Sequence, residues 1–69
     1  MADPFEKVDH PLLGQHVRDV ASGTEGKLVA VVREEVRRIY GEPTYAPIAY
    51  IRMASGRELT TAAANIEAT

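Results

Sequence analysis

Cysteine is absent from this 69-residue chain. Its absence removes disulfide scaffolds, thiolate zinc sites and cysteine nucleophiles together, and it leaves packing alone to hold the fold, as suits a reducing interior. Tryptophan is missing too, and aromatic residues make up only 6% of the chain. No apolar run approaches the roughly 18 residues of a membrane span; the longest is Leu28 to Val32. The opening Met1-Ala2-Asp3-Pro4-Phe5-Glu6-Lys7 has no basic start and no apolar stretch, so it does not read as a signal peptide. There are no repeats and no low-complexity tracts. These absences point to a soluble, cytoplasmic protein without a membrane partner.

What is present is an ordinary globular mixture, 45% apolar and 26% charged. A chain of this length forms one small domain, and such a domain buries only about 60% of the surface its unfolded form exposes. Ordering costs roughly 1.5 kcal/mol per residue, so burial barely offsets it. The net charge of −2 is unevenly spread. Residues 1–26 carry two positive and five negative charges, 27–40 four positive and two negative, and 41–69 two positive and three negative. The middle third is the basic one, and it is a candidate surface patch.

Residues 1–10 are polar and aperiodic and read as a flexible tail, with Phe5 or Val8 tucked against a domain spanning 11–69. His10-Pro11 favours extended backbone and marks the domain start. A strand is expected over Gln15 to Val20, followed by turn chemistry from Ala21 to Gly26, where Gly23 and Gly26 supply positive φ. Lys27 to Tyr40 admits two readings. As a helix it aligns Leu28, Val32, Val36 and Ile39 in one stripe, with Ser22 and Glu25 at capping-box spacing and Gly41 and Pro43 at the far end. As a strand it places the β-branched run Leu28 to Val32 inside a sheet. The strand is favoured: five consecutive apolar residues do not make a half-polar helix, Gly26 would fall in the first turn, and a second β-like run follows at Ala46 to Met53.

Tyr40-Gly41-Glu42-Pro43-Thr44 is expected to turn the chain. Ile48 to Met53 is the clearest strand, with Ala49, Ile51 and Met53 on one side and Ile48, Tyr50 and Arg52 on the other. Ala54-Ser55-Gly56 reverses into a strand at Arg57 to Thr61, Ala62 to Asn65 suits one 3₁₀ turn, and Ile66-Glu67 closes as a short strand. Five short strands with a 3₁₀ turn before the last give an all-β fold, a small SH3-like five-stranded barrel whose closure would hide most sheet edges.

The runs Gly26-Lys27-Leu28-Val29-Ala30-Val31-Val32, Ala49-Tyr50-Ile51-Arg52 and Gly56-Arg57-Glu58-Leu59-Thr60-Thr61, with Asn65-Ile66-Glu67, resemble a group of small actinobacterial SH3-like proteins over residues 11–68. The resemblance implies a β-barrel and carries over no catalytic residue. Val17 to Val32 is similar, more loosely, to the KOW element of ribosome- and polymerase-associated proteins, which are more basic than this chain.

No constellation of residues carries chemistry. His10 and His16 lack further ligands at metal spacing and read as surface histidines, so neither a metal nor a cofactor is expected. Ser22, Ser55, Thr60 and Thr61 have no neighbouring base and suit turns and strands. Gly23 and Gly26 do not form a phosphate loop, and Ala62 to Ala64 fit a tight corner. Glu34, Glu35, Arg37 and Arg38 form a mixed charge cluster with tyrosines around it. Arg33, Arg37, Arg38, Tyr40, Tyr45, Tyr50 and Arg52 are the candidate partner-binding residues, gathered on one hairpin. Aromatic faces with guanidinium groups grip peptides or stack on bases. The expected function is a non-enzymatic module that binds a protein partner or forms a homodimer. The alternative is a nucleic-acid-binding accessory protein using the basic, tyrosine-rich hairpin.

Overall fold

The computed structural model describes residues 6–69. Six strands form one antiparallel sheet: β1 (Glu6–Lys7), β2 (His16–Asp19), β3 (Glu25–Ile39), β4 (Glu42–Arg52), β5 (Glu58–Ala62) and β6 (Ile66–Ala68). A 3₁₀ turn at Ala63–Asn65 separates the last two. The order across the sheet is β5-β4-β3-β2-β6, with β1 alongside β3. No helix among these residues is long and apolar enough to cross a membrane.

The strand reading of this segment holds through Ile39, with Tyr40 in the turn, and the all-β class with its 3₁₀ turn before the last strand holds with it. Barrel closure is corrected. The sheet has six strands rather than five, and no pairing joins its two ends, β5 and β6. The sixth strand comes from the segment read as a tail. Glu6 pairs with Arg33 and Lys7 with Val32, the Val8 amide donates to the Val31 carbonyl at 2.8 Å, and the Val8 side chain packs on the core. Val8 is therefore tucked as expected, while Phe5 lies outside the described residues.

Among the described residues, Val17, Leu28, Val31, Ala49 and Ile51 are the buried apolar side chains, with Val8, Leu12, Leu59, Ala63 and Ile66 packed around them. Ala49 and Ile51 follow the expected alternation in β4. In β3, Leu28 and Val31 both face inward although three positions apart, which strict alternation forbids. The register skips one residue between Leu28 and Ala30, a bulge at Val29 that resets the inward face.

The β3–β4 turn is tighter than expected. Only Tyr40 and Gly41 form it, at φ 51° and 80°, and Glu42 already belongs to β4. Two residues at positive φ suit the right-handed twist of the flanking strands. Tyrosine is a poor occupant of that conformation, which asparagine tolerates better. Tyr40→Asn should therefore stabilise the hairpin by about 0.5 kcal/mol, read as a rise in thermal midpoint of a few degrees. An unchanged or lower midpoint would contradict this account of the turn.

Asp19, unremarkable in the sequence, is the one charged residue buried among the described residues, at 4% exposure. Its carboxylate accepts from the Ser22 hydroxyl at 2.7 Å, the Ser22 amide at 3.2 Å and the Thr61 hydroxyl at 2.9 Å. Its backbone is bonded to Thr24 and Gly23, so one residue ties the β2–β3 turn to β5. The Asp-x-x-Ser spacing ahead of Gly23 was the available signal. The Ser22 hydroxyl, more than the other donors, holds this carboxyl below its ordinary value of 3.8, against the opposing effect of burial. The folded state therefore binds this proton more weakly than the unfolded chain. The resulting stability is full above the ordinary value and is lost as pH falls through the lowered one. Asp19→Asn should lower the thermal midpoint at neutral pH and flatten its decline on acidification. An equally steep acid decline in the variant would show that other carboxylates set it.

Candidate interaction surface: the β3–β4 arm

β3 and β4 are much longer, at 15 and 11 residues, than the rest of the sheet can accompany. β5 pairs with β4 only from Ile48 to Arg52, and β1 with β3 only at Val32 and Arg33. Among the described residues, 34–39 and 42–46 pair only with each other. They form a two-stranded arm of about 20 Å at ordinary strand rise, and the molecule is elongated to 38 × 24 × 21 Å.

The sequence explains why this stretch leaves the body. Glu34-Glu35 and Arg37-Arg38 put charge on successive residues, hence on both faces of a strand, so neither face can be buried cheaply. The register skips again between Glu35 and Arg37, leaving Val36 without a β4 partner. Val36 and Ile39 are about half exposed, Tyr45 is 45% exposed, and Tyr40 at the tip is fully so. Val36 and Ile39 belong to the apolar stripe only in the helical reading, which the strand replaces. The doubled charges beside them were the signal that no interior was available.

All seven candidate residues lie on this hairpin, but not on one face. The register puts Arg33, Arg38 and Tyr45 on the side that continues from the core, and Arg37, Tyr50 and Arg52 on the other, with Tyr40 at the tip. The Arg33 guanidinium sits 5.4 Å from the centre of the Tyr45 ring. Arg38 pairs with Glu35 at 2.9 Å, and Arg52 with Glu58 at 3.1 Å across strands. Tyr50 donates its hydroxyl to Glu34, and this bond, with some burial, raises the phenol above its ordinary value. Three of the seven are thus placed at the sheet rather than along the arm: Arg33 lies beside Glu6 of β1, Tyr50 is half-buried, and Arg52 stands at the base, opposite Lys27.

The basic patch expected from the middle third does not form on the arm. Arg37 and Arg38 are outnumbered there by Glu34, Glu35 and Glu42, because residues 42–46 of β4 contribute an acid and no base. No protein-family model, no curated protein and no solved structure matches the chain.

Away from the arm, the Nδ1 atom of His10 accepts from the Leu12 amide at 3.1 Å, and that of His16 lies 2.6 Å from the Thr69 hydroxyl. No group of three metal-ligating side chains occurs among the described residues. A cleft of about 180 Å³ lies between β1 and β3, lined by Lys7, Val8, Asp9, Leu13 and Val29 to Val31. That is below the roughly 300 Å³ at which small-molecule sites begin.

Proposed function

We propose that this protein is a non-enzymatic interaction module whose β3–β4 arm is its contact element. The arm itself carries the proposal: a ribbon that contributes nothing to the core, holds exposed Val36, Ile39, Tyr40 and Tyr45, and leaves both of its strand edges unpaired among the described residues. Exposed apolar residues on an open-edged ribbon are placed to meet another chain rather than this one. The strand order from β2 to β6, with its 3₁₀ turn, supports the SH3-like resemblance as the parent architecture. A reducing, cytoplasmic setting belongs to the same proposal, since the fold relies on no disulfide.

Nucleic acid is the weaker alternative. Phosphate binding needs a surplus of cations, and the arm's two arginines face three glutamates.

A photo-crosslinking residue placed at position 40, and separately at Leu13 on the body, tests the proposal in the source cells. Protein adducts from position 40 and none from position 13 are expected. Adducts to nucleic acid, or equal labelling from both positions, would overturn it.

A further inference from the structure

We propose that the edge of β3 in the arm, which pairs with nothing among the described residues, pairs antiparallel with the same edge of a second copy, forming a twofold dimer whose axis passes between Val36 and Arg37. This rests on the arm being the contact element and names its partner.

The two edges of the arm are not equivalent. The Met53 amide bonds to the Arg57 carbonyl at 2.8 Å, so odd-numbered residues of β4 direct their backbone groups toward β5. Along the arm those residues are Pro43, Tyr45 and Pro47. Two of the three have no N–H, which blocks this edge to a further strand. The β3 edge from Glu34 to Ile39 contains no proline and pairs with nothing among the described residues.

That open edge has a charge order that suits its own copy. Glu34-Glu35-Val36-Arg37-Arg38 reads acid, acid, apolar, base, base. The bulge at Val36 puts Glu35 and Arg38 on one face of the arm and Glu34 and Arg37 on the other, and turns the backbone groups of Glu35 and Arg38 away from β4. An antiparallel partner whose axis passes between Val36 and Arg37 therefore sets Glu35 opposite Arg38 of the second copy on one face, with Glu34 diagonal to Arg37 on the other. Parallel pairing would set like charge on like and is disfavoured. Val36, unpartnered in β3–β4, then lies beside the axis, opposite Arg37 of the second copy, and loses exposed surface. Arg37 has no carboxylate partner among the described residues, and Arg38, though paired with Glu35, remains exposed enough to be shared.

Sedimentation equilibrium over a concentration series, at low and high salt, tests this pairing. The full chain should dimerise at low salt and more weakly at high salt. The variants Arg37→Glu/Arg38→Glu and Glu34→Arg/Glu35→Arg should each dimerise on the order of tenfold or more weakly alone, and an equal mixture should restore a heterodimer. The quadruple exchange, Glu34→Arg/Glu35→Arg/Arg37→Glu/Arg38→Glu, should dimerise like the original because the order is only inverted. It keeps the test decisive if circular dichroism shows that either double variant fails to fold.

A chain that stays monomeric to about 1 mM at low salt, or double variants that dimerise unchanged, would overturn the proposal. Dimerisation only after removal of residues 2–5 would also overturn it, by assigning the β3 edge to that segment. A monomer whose position 40 still crosslinks to another protein ends this inference and leaves the arm as contact element.

Discussion

Gly26→Ala is expected to cost this domain most or all of its cooperative unfolding. Gly26 lies within β3, opposite Val17, and its backbone is not in the left-handed region. Its role is close approach rather than the turn the sequence suggested, where Gly23 alone has a positive φ, 74°. A Cβ at position 26 would stand 2.4 Å from the Arg52 carbonyl oxygen and 2.8 Å from Cγ2 of Ile51. The first neighbour is backbone at the end of β4 and cannot turn aside, so β3 and β4 would have to separate where they close the core. Overpacking of this kind costs about 3 kcal/mol or more. The opposing gain, a less flexible unfolded chain, is only about 0.5–1 kcal/mol. A chain this size has roughly 3–10 kcal/mol to lose. The thermal midpoint should fall by more than about 12 °C or disappear. Trimming Ile51 in the same chain should not rescue it, because the carbonyl contact remains. A midpoint within about 5 °C of the original would mean that the strands part easily here, contrary to the packing described.

Leu28→Ala should be nearly as damaging. Leu28 is the largest of the fully buried side chains, in a core of five. Truncating a buried leucine costs about 2–5 kcal/mol, the spread reflecting how far the site collapses. With so few inward residues, little is available to refill the space. Ile39→Ala on the arm removes a side chain of similar size that is 47% exposed, and should change stability by less than about 0.5 kcal/mol. Chemical denaturation of the two variants side by side gives the comparison. Similar losses would place the arm in the core and undo the division between them.

That division was only partly legible in the sequence. The alternation of Ile48 to Arg52, the turn at Ala54 to Gly56 and the 3₁₀ turn were all readable, because local pattern and final environment agree there. Bulges were not. One extra residue at Val29 and another at Val36 shift the inward face, and a bulge arises from a whole strand pair rather than from either strand alone. The hairpin tip was overestimated because Pro43 reads as turn chemistry, while on an unpaired edge a strand accommodates it. Asp19 escaped notice because Thr61, one of its partners, lies 42 positions away. The candidate hairpin was found from its arginines and tyrosines, but its division into two faces, and the acids that offset its arginines, appear only once β4 lies beside β3.

The most direct test of the central claim, that the arm stands outside the structure holding the domain together, is thermal unfolding of a shortened chain. Replacing residues 35–45 with Asn-Gly joins Glu34 to Ala46, which already face each other across the ribbon. The shortened protein should unfold cooperatively with a midpoint within about 5 °C of the original, since no buried side chain is removed. Loss of cooperative unfolding would show that the arm belongs to the core and would contradict the account.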